Sequence, residues 1–364
     1  MKGCGGRVVV MVGVFPPPAH GQSLSNDELR GRLASSGDPP SIVDLSPDSA
    51  SRSWRVRFGR LIVVLKGLLR FVSLIVTTRG GSVVISMSAS FGLAYELIFT
   101  GLARCFRWSI FLHHHNYTYV DDPYLLMRLM TVFAGPRATH IVLCERMEEA
   151  MKRSYAGVRR TVALSNVVFL DAGEEGSETK LRRRLEVLGY LSNITAEKGI
   201  FEFLETMEEL ERRGVRVSSR IAGPIEDSVL RSEVLSRIDR LASAEYVGAR
   251  HGAGKAAFYC SIDLFLFPSR SEAEGRVNHE AMRAGVPVIA PARGCIPDVI
   301  GEDGGFVVNT GEDFVKAASE RIESWVRNPA LFEAASRSAF LRYHKTKRET
   351  LRRLDALCLQ IENG

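Results

Sequence analysis

"SIDLFLFPSRSEAEGRVNHEAMRAGVPVIA" (261–290) joins a short apolar run to a polar loop, a helix-like segment and a second apolar run. "IDLFLF" shows no alternation of polar and apolar residues, as expected of a strand buried on both faces. Pro268 closes it, and residues 269–275 read as a loop at the strand's C-terminal edge. A helix is expected from about Asn278 to Gly285, with Asn278 as its cap and Glu280 in its first turn, before "VPVIA" begins the next strand. Strand, helix, strand with continuously apolar strands is the pattern of a parallel sheet covered by helices, so the fold class is α/β.

The same rhythm runs outward in both directions. Upstream, "RVVVMVGVF" (7–15), "SVVISMSA" (82–89), "SIFLHHH" (109–115), "THIVLCE" (139–145) and "VVFLD" (167–171) read as buried strands, with helix-like segments such as "LLMRLMTVFA" (125–134) between them. "PPPAHGQS" (16–23) reads as a loop. After the charged stretch "DAGEEGSETKLRRR" (171–184) the pattern restarts, with strands in "EVLGYLS" (186–192), "VRVSSRIAG" (215–223) and "GGFVVN" (304–309) and helices over 199–214 and 226–242. The tail from about residue 332 is helical. A chain of 364 residues is long for one core, and the restart sets the expected domains at 1–168 and 169–340, with a final helix over 341–364.

Charge divides the same way. Up to residue 168 there are 20 Lys and Arg against 11 Asp and Glu, and beyond it 28 against 31. Between Arg52 and Arg79 lie seven basic residues and no acidic one, around "LIVVLKGLLRFVSLIV". Lys66 and Arg70 interrupt that run, which disfavours a membrane span. Two readings remain: an amphipathic helix on an anionic membrane surface, or a core helix whose basic residues face water. Basic residues without interleaved exposed-looking aromatics give no nucleic-acid module. Six cysteines with no CxxC pair signal neither a disulfide scaffold nor a zinc ribbon.

The loop beside the helix start carries the chemistry. Backbone amides at 275–278 suit an anion such as a diphosphate, and neighbouring carboxylates accept hydrogen bonds from vicinal hydroxyls. A ligand with both features is a nucleotide sugar. Here the stretch resembles the donor-binding segment of the family 4 retaining glycosyltransferases, whose pattern is Pro-Ser, then Glu, seven residues, Glu, and an "EAMAxGxPVIA" run. Glu272 and Glu280 keep that spacing, Gly275 is kept, and "GYLSNITAEKG" (189–199) is similar to the family's "GRLxxxKG".

The resemblance implies a GT-B fold: two Rossmann-like domains, the first on the acceptor side, the second binding the nucleotide sugar, and a last helix crossing back to the first. It places Glu280 on the ribose, Glu272 on the transferred sugar, and Arg276, Val277 and Asn278 along sugar and phosphate. Lys198 matches the lysine that neutralises the leaving diphosphate. Asn193 stands where an arginine is common, and Arg270 is a candidate replacement. His115 is the preferred match for the family's cleft histidine, with His114 in reserve. Gly21, beside His20, resembles the glycine loop that passes close to the diphosphate.

Strand alternation sends His113 and His115 to one side and His114 to the other, so the three do not form a metal site, and Asp121-Asp122 is not a DxD motif. No metal or cofactor is expected. The implied activity is metal-independent retaining transfer from a UDP- or GDP-sugar to an acceptor hydroxyl, on a glycan or a lipid-linked acceptor in envelope polysaccharide assembly. A cytoplasmic protein is expected, with 52–79 offering a peripheral place on the inner face of the membrane. The alternatives are a GT-B epimerase or phosphorylase, and a non-catalytic sugar-nucleotide-binding or scaffolding protein.

Overall fold

A computed structural model describes residues 7–17, 21–46, 54–78, 80–89, 92–170 and 181–364. The chain divides into two compact units, Met1–Phe169 with Glu349–Gly364, and Leu170–Arg348. His20, Arg52, Arg79 and the charged stretch 171–180 lie outside the described residues.

Among the described residues the first unit holds six parallel strands: β1 (Val8–Gly13), β2 (Ser41–Asp44), β3 (Gly81–Met87), β4 (Ser109–His114), β5 (Thr139–Val142) and β6 (Arg160–Ala163), in the order β2-β1-β3-β4-β5-β6. Its helices are α1 (Gly21–Ser36), α2 (Trp54–Thr77), α3 (Gly92–Cys105), α4 (Thr118–Asp121), α5 (Leu125–Ala134) and α6 (Glu145–Ser154). All seven residues of β3 are buried, which accounts for its unbroken apolar reading.

Two expectations fail here. "VVFLD" is not a strand: Asn166–Phe169 form a 3-10 turn, whose apolar side chains are buried without sheet pairing. Gly21 is not in a loop but opens α1, where Ser25 Oγ lies 2.9 Å from its carbonyl oxygen and 2.8 Å from Asn166 Oδ1.

Glu96 of α3 is buried, its carboxylate oxygens accepting from the Ser88 amide at 3.0 and 3.1 Å. Burial pushes its pKa up to about 7, against the lowering effect of the Ser88 hydrogen bonds and Arg60.

The second unit repeats the architecture with β7 (Val187–Leu191), β8 (Ser218–Ala222), β9 (Ala244–Gly248), β10 (Leu264–Leu266), β11 (Val288–Pro291) and β12 (Gly305–Val308). All pairs are parallel, in the order β12-β11-β10-β7-β8-β9. The chain moves outward from β7 to β9, then restarts on the other side of β7 at β10. Ligands of such sheets bind beyond the C-terminal ends of the strands at this reversal.

The helices are α7 (Ile200–Arg212), α8 (Ser228–Ile238), α9 (Ala253–Cys260), α10 (Arg276–Arg283), α11 (Ile296–Ile300), α12 (Phe314–Arg327) and α13 (Pro329–Asn363). Phe203, Leu204, Met207 and Leu210 of α7 pack with Leu188, Ile221 and Leu264 in one core. Each such side chain contributes about 1.5–3 kcal/mol by leaving water. α8 is shorter than the expected 226–242: Asp227 caps it by accepting from the Leu230 amide, and it ends at Ile238.

Candidate functional site

The two loops at the β7/β10 reversal and the helix that follows the second, α10, carry most of the predicted residues. After β7, Lys198 is held by its backbone: its amide donates to Thr195 O at 3.1 Å, and the buried Tyr190 hydroxyl donates to its carbonyl at 3.1 Å. Gly199 follows with φ 79°, and a Cβ there would stand 2.1 Å from Pro268 O. Only glycine lets the loop after β7 approach the loop after β10 so closely. The result is that Lys198 Nζ lies 2.8 Å from Glu272 Oε2. Asn193 is exposed, and its carbonyl accepts from Ser192 Oγ.

After β10, Ser269 is buried and its hydroxyl donates to Ser271 O. Arg270 donates from its backbone to Glu197 O, and its guanidinium is paired with Glu202. Any use of Arg270 as a substitute cation would have to break that pair.

Helix α10 begins at Arg276, two residues before the expected start, with Gly275 as N-cap at φ 73°. Asn278 is therefore not a cap. It is the third helical residue, fully buried, with its amide already donating to Gly275 O and neither side-chain amide atom hydrogen-bonded. Its Nδ2 occupies the space a Cβ on Gly275 would need, at 2.6 Å. Arg276 and Val277 are half-buried.

Glu280 falls in the second turn of α10, not the first, and turns toward α9. Its Oε1 accepts from Lys255 Nζ at 2.7 Å and its Oε2 from the Tyr259 hydroxyl at 2.9 Å. The same hydroxyl is 3.2 Å from Val277 O. Lys255 and Tyr259 were not anticipated. Their i, i+4 spacing in "GKAAFYCS" puts them on one face of a helix, which is the signal that could have paired them.

Each of the two carboxylates in the Glu-seven-Glu register thus holds a lysine. Anionic phosphate and diol hydroxyls are the groups able to compete for these four partners, because they offer acceptors to the lysines and donors to the glutamates.

In the first unit, β4 ends at His114, and the alternation of its side chains carries on to His115 just beyond it. His113 and His115 lie on one side, with ring centroids 3.9 Å apart and planes tilted by 49°. His114 lies on the other side, its Nδ1 3.0 Å from the Tyr119 hydroxyl and its Nε2 3.0 Å from His140 Nδ1. Burial, then His140 and His113, hold its pKa well below the usual histidine range, and burial lowers His140 to about 4. His113, His114 and His140 are fully buried, whereas His115 is partly exposed. Among the described residues no group of three or more His, Cys, Asp or Glu side chains is placed to hold a metal ion.

The Glycosyl transferases group 1 family model matches residues 174–342, the span that contains both loops. The capsular polysaccharide biosynthesis glycosyltransferase CapM of Staphylococcus aureus is 31% identical over 150 residues, 40% of this chain and 38% of that protein. The chain thus spans well under half the length of this curated relative. Among solved structures, sucrose-phosphate synthase from Thermosynechococcus elongatus superposes with a TM-score of 0.72 at 16% identity, covering 98% of this chain and 99% of the other. The fold is GT-B. Anabaena HepE, in complex with UDP and glucose, superposes with a TM-score of 0.65 at 16% identity over 97% of this chain and 99% of that one.

Proposed function

We propose that the chain is a retaining glycosyltransferase of family 4 type, moving a sugar from a UDP- or GDP-sugar to an acceptor hydroxyl. The reading is carried by the paired carboxylate–lysine couples, Glu272 with Lys198 and Glu280 with Lys255, at the reversal point of the second sheet. Glu280 takes the ribose hydroxyls and Glu272 those of the sugar. Lys198 exchanges its carboxylate partner for the diphosphate, which the backbone at the start of α10 also faces. The bond from the anomeric carbon to the diphosphate breaks as the bond to the acceptor oxygen forms on the same face. The acceptor's proton passes to the leaving phosphate oxygen. Electrostatic stabilisation of that leaving group is the main catalytic effect. His115 is the proposed catalytic side chain of the first unit.

Incubation with UDP-, GDP- and ADP-sugars should release nucleoside diphosphate slowly without added acceptor, and release should persist in excess EDTA. Loss of turnover with chelator, restored by manganese or magnesium, would overturn metal independence. Donor binding without any release, with or without metal, would favour a non-catalytic binder.

The acceptor we infer is lipid-linked. Among the described side chains of α2 the buried stripe is narrow, comprising Val64, Gly67, Phe71 and Ile75, while Leu61, Ile62, Leu65, Leu69, Val72 and Val76 are exposed beside Arg60, Lys66 and Arg70. The exposed apolar residues among the basic ones support the interfacial reading over a core helix whose basic residues face water. α3 packs against both α2 and α5, and α5 exposes Leu125, Leu129, Val132 and Phe133 next to Arg128. Neither α2 nor α5 contains an acidic residue, and the one in α3, Glu96, is buried. No described helix is long and apolar enough to cross a membrane.

Basic residues near an anionic surface contribute about 1 kcal/mol each. Arg60, Lys66 and Arg70 replaced together by glutamate should release the protein from anionic vesicles while leaving nucleotide binding intact. Equal sedimentation of wild type and triple variant with anionic and neutral vesicles, or none by either, would remove the membrane from the account.

A further inference from the structure

Two polar side chains near the donor loop have no part in the chemistry above. Glu274 and His279 are each 2% exposed, and His279 Nε2 lies 3.0 Å from Glu274 Oε1. The two residues belong to different elements. Glu274 is in the loop two positions after Glu272, and His279 is the fourth residue of α10, with the left-handed Gly275 between them. Their hydrogen bond therefore spans the loop-to-helix junction, where no side chain caps the helix. Asn278, also buried here, makes no side-chain hydrogen bond that could do the same work.

Burying a carboxylate and an imidazole is costly unless they bond to each other, and an apolar pair of similar volume would stabilise the unit as well or better. What the polar pair adds is direction, because a hydrogen bond fixes relative orientation where apolar contact tolerates sliding. The far side of the same loop is also anchored. Cys295 N donates to Ala273 O at 2.7 Å, and Gly294 approaches so closely that a Cβ would stand 2.2 Å from Glu272 O. The segment 272–274 is therefore fastened on both sides, with the carboxylate of Glu272 left toward Lys198.

We propose that Glu274 and His279 are positioning residues of the donor site: their buried hydrogen bond locks the loop bearing Glu272 onto the first turn of α10. The carboxylate, Lys198 and the backbone at 276–277 are then presented in one arrangement. The proposal rests on reading this region as the donor site and adds two residues to it that touch no substrate.

The test is calorimetric titration of the full chain with UDP, GDP and ADP in turn. Wild type should bind at least one. His279→Leu, folded by circular dichroism, should bind that nucleotide about tenfold more weakly, the effect expected when one hydrogen bond to a charged group is lost. His279→Gln, whose amide N–H can still donate to Glu274, should recover affinity to within about threefold of wild type. That recovery separates orientation by a hydrogen bond from simple packing. If His279→Leu does not fold, Glu274→Leu removes the acceptor from the other side and should weaken binding as much, whereas Glu274→Gln, which keeps a neutral acceptor for His279, should stay within about threefold of wild type. Wild-type affinity in folded His279→Leu, or equal loss in the Leu and Gln variants, would overturn the positioning role and leave the donor site standing. No binding of any of the three nucleotides by wild type would overturn the donor-site reading itself.

Discussion

Lys198→Ala is expected to lower the rate of nucleoside diphosphate release by about 10²- to 10³-fold, the range seen when one preorganised charge-stabilising group is removed from a site of developing negative charge. Lys198 is fixed by hydrogen bonds from Tyr190 and to Thr195, and its ammonium already meets Glu272 across the two loops. Asn193 offers no cation, and Arg270 is committed to Glu202. Lys198→Arg should restore part of the rate, because charge is kept while reach and geometry change. A Lys198→Ala protein that turns over at the wild-type rate would mean that another group bears the charge of the leaving diphosphate.

The second large effect concerns stability. Arg182 is 6% exposed, and its guanidinium donates to Ile262 O at 3.0 Å, Tyr259 O at 2.9 Å and Ala284 O at 3.3 Å. Its own amide donates to Ser336 Oγ at 2.8 Å, and that hydroxyl donates to Gly285 O at 2.6 Å. One buried side chain thus ties the ends of α9 and α10 and the residue before Asp263 to the start of the unit. Asp263, 3.8 Å away, supplies partial charge compensation. Arg182→Met fills similar volume but leaves three buried carbonyls without that donor. The cost should be about 3–5 kcal/mol, lowering the unfolding midpoint of the second unit by roughly 10 °C. Differential scanning calorimetry would show it, and a midpoint within about two degrees of wild type would contradict the assignment.

Arg182 also shows where sequence reading stops. In "KLRRR" it is one of three consecutive arginines after a polar stretch and reads as part of a solvated linker. Its burial depends on carbonyls about 80 and 100 positions away along the chain, which no local pattern announces. The long apolar strands were legible because burial on both faces leaves a continuous apolar run, as in β3. Four-residue β2 and β6 and partly exposed β9 lack such a run and were missed. "VVFLD" has the composition of a strand but no partner strand, so burial alone misled. At the site, the spacing of Glu272 and Glu280 was legible. The start of α10 was misplaced because Gly275 in a left-handed conformation, not Asn278, precedes the first turn. Lys255, Tyr259 and the Glu274–His279 pair went unread because their roles are tertiary pairings between elements.

The central claim is that the second unit holds a nucleotide sugar through Glu280. Thermal unfolding in the presence of UDP-, GDP- and ADP-sugars, for wild type and Glu280→Gln in parallel, tests it most directly. Ligand at about a hundred times its Kd stabilises by about 2.7 kcal/mol, enough to raise the midpoint of a unit this size by several degrees. The amide replacement forfeits charge-assisted bonds of about 1.5–3 kcal/mol, most of that gain. At least one donor should therefore raise the wild-type midpoint, and raise that of folded Glu280→Gln by about half as much or less. No shift with any donor, or the same shift in both proteins, would contradict the account.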